Sequence, residues 1–93
     1  MTLDADRTAL VIIDPQNDFL SEGGVVWDLV GELVVKNDVV NRLKGLIAAA
    51  RSAGIDVVYV PHYYDKEYAA WQNNNFIDTV MFERRMFESG KWG

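Results

Sequence analysis

The stretch ALVIIDPQNDF, which covers Ala9–Phe19, is the most informative part of the chain. Its apolar run, from Leu10 to Ile13, is largely β-branched and shows no polar alternation. Such a run is typical of a strand buried on both faces, as in a parallel sheet. Asp14 follows, and Pro15 then ends the strand because proline cannot donate to a ladder. We expect Asp14 at the carboxyl edge of the sheet, where open α/β sheets bind ligands and a carboxylate can transfer protons.

A helix and a second strand follow this stretch. The helix is predicted over Lys36–Ala53, with Asn37 as its N-cap and Asp38 in its first turn. Its apolar stripe consists of Val40, Leu43, Ile47 and Ala50. The second strand is predicted over Ile55–Val60, another β-branched run, and Pro61 ends it. A strand, helix and strand at this spacing predict a βαβ unit with parallel, neighbouring strands.

The other segments have weaker patterns. Val25–Val35 is predicted to be a surface loop with at most a short helical turn, since its apolar residues have no clean period. Lys66–Gly93 is aromatic and predicted to be irregular, without a third strand.

A single helix can cover only one face of a sheet whose strands both have the pattern of fully buried ones. A core this small seldom stabilises a fold without disulfides. We therefore expect the sheet to be completed by further sequence or by another copy of the chain, as in a homo-oligomer. In the chain alone, we expect some of the following four strand residues to be exposed: Ile12, Ile13, Val58 and Val60.

The sequence Asp-Pro-Gln-Asn-Asp-Phe at Asp14–Phe19 resembles the D-x-Q-N-D-F signature of the isochorismatase-like cysteine hydrolases. The segment NDVVNRLKGLIAAARSAGIDVVYV is similar to that family's first crossover helix and second strand. The ending FESGKWG is similar to the loop before its third strand. The resemblance implies a Rossmann-like, three-layer α/β/α fold with a parallel sheet. It also implies that residues 1–93 are the N-terminal part of one such domain.

The resemblance also implies a chemistry. In the family, the aspartate that matches Asp14 pairs with a lysine and a cysteine and takes the proton of the attacking thiol or of water. The implied reaction is hydrolysis of a small molecule, most simply at an amide C–N bond, through a thioester and without a cofactor. The family's lysine and cysteine have no match here, and Lys91 lies in a glycine-flanked loop. These residues alone should therefore be inactive.

Three further residues are candidate substrate contacts. Phe19 is expected to be partly core and partly pocket wall, because the family places an aromatic residue of this motif against the substrate. Trp92 is a candidate because the family's tryptophan-containing loop lies near the active site. Gln16 could either contact substrate or fix the loop, whereas Asn17 and Asp18 are expected to fix the loop through side-chain-to-backbone bonds.

Each candidate also has a simpler interpretation. From its position alone, Asp14 could equally be a carboxylate that caps loop amides. His62 is a lone histidine at a strand end, where a core or loop role is commoner than metal binding. The D-x-H metal motif of the family's nicotinamidases is missing around it. One imidazole and one carboxylate are too few ligands for zinc, so no metal site is predicted.

Composition narrows the function classes. The chain has 93 residues, 49% of them hydrophobic, which fits one globular domain at most. Its net charge of −5 and lack of a basic stripe argue against nucleic acid as a partner. Its apolar runs are too short to span a membrane, and its start, MTLDADRT, does not resemble a secretory signal. A cytoplasmic location is the default expectation. There is no cysteine for a disulfide, a thiolate metal site or a nucleophile.

Two other functions fit parts of the sequence. A haloacid-dehalogenase-type phosphotransferase also places aspartate after its first strand, but it needs a second aspartate where this chain has Gln16. The stronger rival is a catalytically inactive copy that serves as an interaction or oligomerisation piece, which the missing nucleophile favours. A lysine-bearing third strand and a later cysteine downstream would favour the enzyme. The aromatic residues Tyr63, Tyr64 and Trp71 could line a pocket, but most of them are expected in a core or an interface.

Overall fold

The sheet of the computed structural model, which describes residues 2–93, has two parallel strands. They are β1 (Ala9–Ile13) and β2 (Asp56–Val60), paired from Ala9 with Asp56 to Ile13 with Val60. Residues 2–93 also form four α-helices: α1 (Asn17–Leu20), α2 (Trp27–Lys36), α3 (Val39–Ser52) and α4 (Phe76–Arg84). Two short 3₁₀ turns lie at Ala5–Arg7 and Lys66–Tyr68. The predicted βαβ unit, β1–α3–β2 with parallel strands, is confirmed.

The segment before α3 differs from its prediction. Val25–Val35 was expected to be a loop, but α2 occupies most of it. The helix is amphipathic and packs Val30 on the core, but the apolar Leu29 and Leu33 are exposed and obscure this period in the sequence. Asn37 is the C-cap of α2 and donates its side-chain N–H to Leu33 O at 2.9 Å, so its prediction as the N-cap of α3 is wrong.

The N-cap of α3 is Asp38, which adopts a left-handed conformation with φ 48°. It was expected inside the first turn. Only two residues separate the end of α2 from the start of α3. Asp38 therefore belongs to the connection between the helices and not to a helical turn. The end of α3 matches its expected place within one residue.

Helix α4 lies in the segment predicted to be irregular. Asn75 caps it by accepting the N–H of Asp78 at 3.1 Å. Apolar side chains occur around most of the helix, so no amphipathic stripe marks it in the sequence. The expectation that this segment has no third strand agrees with the structure of residues 2–93, where it contributes only an isolated bridge between Tyr64 and Glu88.

The two faces of the sheet are buried unequally. Ile12 is 6% exposed, on the face nearer α3, whereas Ile13 on the other face is 69% exposed. Since the register pairs Val11 with Val58 and Ile13 with Val60, this second face is a continuous apolar patch. We call these four residues the open face: Val11, Ile13, Val58 and Val60. The expectation that some strand residues are exposed in the chain alone is confirmed.

The best-buried cluster lies beyond the carboxyl ends of the strands. Val26, Met86 and Phe87 are each at most 4% exposed and form its centre. Partly buried side chains pack around them, namely Phe19, Val30, Tyr64 and Met81. The motif loop after β1 thus rests on a core built by the segments before α2 and after α4. In residues 2–93 no helix is long and apolar enough to cross a membrane.

Candidate active site

Asp14 lies where β1 ends, at the carboxyl edge of the sheet as predicted. Its N–H donates to Val60 O at 3.0 Å and so extends the ladder by one bond. Its φ is 51°, a left-handed conformation that residues other than glycine rarely adopt. That conformation costs roughly 1–2 kcal/mol. Strained backbone of this kind is found preferentially at functional sites, provided that the surroundings hold it in place.

The carboxylate of Asp14 is half-buried and, within residues 2–93, accepts no hydrogen bond from a protein group. It lines an open cavity of about 450 Å³. Phe19 lines the same cavity, whose other walls are apolar side chains of β1 and α3, including Leu10, Ile12, Val39, Leu43 and Leu46. The structure therefore brings Asp14 and Phe19 together beside a space that a small molecule could enter.

Gln16 uses its side-chain amide on protein backbone. Its Nε2–H donates to His62 O, and its Oε1 accepts the N–H of His62, both at 2.8 Å. The amide thereby ties the loop after β1 to the loop after β2. Of the two roles left open for Gln16, this geometry supports fixing the loop; a substrate contact stays a prediction.

Asn17 and Asp18 fix the loop, as expected from their side chains. Asn17 Nδ2–H donates to Trp92 O at 2.9 Å. Asp18 is 3% exposed, and its Oδ2 accepts the N–H of Phe87 at 2.7 Å. A second, longer bond of 3.4 Å joins Val25 N–H to its other oxygen. The buried carboxylate thus connects the motif loop to the nearby segment before α2 and, 69 residues further along the chain, to the segment after α4.

Trp92 does not share the cavity of Asp14. Its side chain is 61% exposed and lines a separate cavity of about 330 Å³ beside Asp18, Arg85 and Lys91. A substrate contact from Trp92 stays a prediction. It would require the Trp92 loop to be arranged differently from the one seen here.

A layer of aromatic side chains packs against the motif loop. Phe87 packs against Phe19 with ring centroids 5.1 Å apart and stacks on His62 at 5.2 Å. His62 is therefore a packing residue whose backbone is clamped by Gln16.

Residues 2–93 contain no group of three or more histidine, cysteine or acidic side chains suited to a metal ion.

The sequence did not single out Tyr68, although it is 4% exposed and lies in this layer. Its ring stacks on Tyr64, and its single O–H is shared between the backbone carbonyls of Met81, at 3.0 Å, and of Met86. Burial raises the pKa of Tyr68 to about 12. No local signal separates this tyrosine from its exposed neighbour Tyr63, because only the fold decides which ring is covered.

Similarity to known proteins covers nearly the whole chain. The isochorismatase domain model matches residues 8–93. The chain belongs to the isochorismatase family. The family predicted from the D-x-Q-N-D-F motif is thus confirmed, and with it the Rossmann-like α/β fold class.

Individual relatives are similar along most of this chain. A ureidoacrylate amidohydrolase RutB of Methylorubrum extorquens is 30% identical in an alignment that covers 99% of this chain and 42% of the relative. The protein of the same name from Agrobacterium fabrum is also 30% identical, over 99% of this chain and 46% of its own length. That of Rhizobium rhizogenes is 38% identical over 69 residues, or 73% of this chain and 28% of its own. The chain thus spans less than half the length of these relatives.

Proposed function

We propose that this chain is part of a cysteine hydrolase that cleaves an amide C–N bond in a small molecule, with Asp14 as its proton-transfer residue. One observation carries the proposal. Among the polar side chains of the D-x-Q-N-D-F motif, Gln16, Asn17 and Asp18 are all bonded to backbone, whereas the Asp14 carboxylate accepts no such bond within residues 2–93. It lies at the ligand-binding edge of the sheet in a strained conformation. The amide specificity is suggested by the amidohydrolase relatives.

The proposed reaction has two halves. Asp14 accepts the proton of a cysteine thiol, and the thiolate sulfur adds to the amide carbonyl carbon. The C–N bond then breaks, Asp14 returns the proton to the leaving nitrogen, and a thioester remains. In the second half Asp14 accepts a proton from water, the hydroxide oxygen attacks the thioester carbonyl, and the C–S bond breaks. The sulfur recovers the proton as the carboxylic acid leaves.

The cysteine of this scheme, and the lysine of the family, would come from outside residues 1–93, which contain no cysteine. We therefore propose that these residues are the N-terminal part of one isochorismatase-like domain. The open face supports this, because a parallel strand with an apolar side chain such as Ile13 69% exposed needs a further layer against it. The remainder of the domain would supply that layer together with the nucleophile.

A second candidate rests on the same open face. If no remainder exists, the apolar patch would pair with another polypeptide, and the chain would be an inactive interaction or oligomerisation piece. The absence of a cysteine from the chain favours this candidate. The strained Asp14, whose carboxylate accepts no hydrogen bond within residues 2–93, favours the enzyme. An activity measurement decides between them.

The test replaces Asp14 by Asn in a protein that contains these residues together with the rest of the domain. Asn keeps the size of the side chain but cannot accept a proton. The kcat/KM for a small amide should fall by about 10²–10⁴-fold, the usual contribution of a general base, with no change in thermal unfolding. The matched control is Asp6→Asn, an exposed aspartate near the N-terminus, which should keep normal turnover.

Two further measurements sharpen this test. Asn17→Ala, which removes the bond to Trp92, should lower the unfolding temperature more than it changes the chemistry. Residues 1–93 alone should show no thiol-dependent turnover. Near-normal turnover by the Asp14→Asn enzyme would remove Asp14 from the mechanism and leave it as a loop residue.

A further inference from the structure

Two side-chain hydrogen bonds of Gln16 connect the loops that follow the two strands. The amide donates to His62 O and accepts His62 N–H, each at 2.8 Å, across a separation of 46 residues. Together these two bonds connect the chain segments as backbone hydrogen bonds connect neighbouring strands. They lie just beyond the last backbone hydrogen bond of the sheet. The clamp is part-buried, so loss of either bond would leave a peptide group poorly paired.

The clamp acts directly on the residue that the proposed function uses. Asp14 is bonded on one side, where its N–H donates to Val60 O at 3.0 Å. On the other side its carbonyl accepts the N–H of Gln16 at 2.8 Å. Its positive φ of 51° is unfavourable in itself, so neighbouring bonds must maintain it. The bonds from Gln16 to both Asp14 and His62 are the ones placed to do so.

We infer that Gln16 is a positioning residue: its amide, clamped on the His62 peptide, holds Asp14 in the left-handed conformation that aims the carboxylate into the cavity. The second N–H and the second oxygen lone pair of the amide are not used by these two bonds, so the kinetic test below measures KM as well as kcat. The catalytic consequence of this inference rests on the proposed function, but the geometric one does not. The two parts can therefore be tested separately.

The geometric test is amide hydrogen exchange in Gln16→Met, which keeps the length of the side chain and removes both polar atoms. The N–H groups of Asp14 and His62 should exchange about tenfold faster, as expected for loss of one or two hydrogen bonds. Exchange at Ile47 in α3 should not change, which excludes general destabilisation. The matched control is Gln72→Met, at the chain's other, exposed glutamine. Unchanged exchange at Asp14 and His62 would overturn the inference.

The catalytic test uses the complete enzyme. Gln16→Met should lower kcat by about 10–100-fold, since a small misplacement of a reacting group costs up to that much, with KM within about twofold of normal. Gln72→Met should leave both constants unchanged. A raised KM with normal kcat would instead make Gln16 a substrate contact and overturn the positioning role.

A double variant separates this inference from the proposed function. If Gln16 acts through Asp14, adding Gln16→Met to Asp14→Asn should reduce the residual turnover no further. An equal loss in both backgrounds would contradict action through Asp14. If Asp14→Asn alone keeps near-normal turnover, the proposed function fails, and the exchange measurement still decides whether Gln16 holds Asp14.

Gln16→Glu supplies a pH signature that a purely structural role would not. A protonated Glu can both donate to His62 O and accept His62 N–H, whereas an ionised Glu can only accept. The ratio of kcat in Gln16→Glu to wild-type kcat should therefore rise as pH falls towards the ordinary Glu pKa of about 4.3. A ratio that stays level over this range contradicts the inference.

Discussion

The sheet differs from the aromatic segment that follows it, residues 62–87, in how well the sequence pattern predicts burial. The strands have the apolar, β-branched pattern of a buried sheet, yet Val11 is 49% and Ile13 is 69% exposed. The aromatic segment has no regular pattern, yet Tyr68, Met86 and Phe87 are at most 4% exposed. The part that the sequence marks as the core is the more open of the two.

This difference shows what an apolar run predicts. It indicates that a strand is covered in the working molecule, but not which residues cover it. The aromatic segment instead carries its own packing partners, because large rings such as Phe82 and Trp71, whose centroids lie 4.4 Å apart, can cover each other locally. Three sets of variants test this contrast.

The largest effect should come from truncating the aromatic core. Phe87→Ala removes a ring that contacts both Phe19 and His62, and it should lower the free energy of unfolding of this chain by about 3–5 kcal/mol. Ile13→Ala on the open face should change it by no more than about 0.5 kcal/mol, because the side chain is mostly in water. Urea unfolding measures both.

The same two variants sharpen the comparison in a protein that carries the rest of the domain. There Ile13→Ala should cost about 2–5 kcal/mol, since a further layer would bury it. If the cost stays near zero in that protein, the open face has no intramolecular partner. The proposal that residues 1–93 form the first part of the domain would then be wrong.

A smaller effect is expected at the hydroxyl of Tyr68. Tyr68→Phe keeps the ring but removes the bonds to the Met81 and Met86 carbonyls, and it should cost about 1 kcal/mol at pH 7. The exposed Tyr63→Phe is the matched control and should cost nothing measurable.

The pH dependence of the wild type follows from the raised pKa of Tyr68, about 12 against 10 in the unfolded chain. Between these values the unfolded state loses its proton first, so the folded state should lose stability as pH rises from 10 to 12. Unfolding temperatures measured over this range should fall less steeply in Tyr68→Phe. Parallel curves would show that Tyr68 is not shielded from water.

The smallest effect should come from the ion pair between Arg84 and Asp28, which links α4 to α2 at 2.6 Å on the surface. The hydrogen bond from Arg84 lowers the pKa of Asp28, so its stabilising contribution is present above the ordinary Asp pKa and is lost as pH falls through the lowered value. Arg84→Met should lower the melting temperature slightly at pH 7, and by less in high salt than in low salt, because salt screens the pair with Asp28 but not the bond from Arg84 to Val25 O at 2.9 Å. Arg42→Met, an exposed arginine on α3, is the control. A salt-independent loss would point to lost packing instead of lost charge.

Local pattern was sufficient for the elements that carry the motif. The β-branched runs predicted β1 and β2, and the apolar stripe predicted most of α3. The Asp-Pro step after β1 placed Asp14 at the carboxyl edge of the sheet, because proline has no N–H to donate to a ladder between buried strands. These features depend on residues adjacent in sequence, so the order of the amino acids is enough to recognise them.

Only the tertiary structure decided how the motif is held. Helix α4 lacks an amphipathic stripe, so no local pattern marks it in the sequence. The partners of Gln16 and Asp18, His62 and Phe87, lie 46 and 69 residues further along the chain. The sequence by itself determined which strand ends at Asp14. The fold decided the positive φ of Asp14 and left its carboxylate without a hydrogen-bond donor from residues 2–93. Both features depend on peptide groups that only folding brings together.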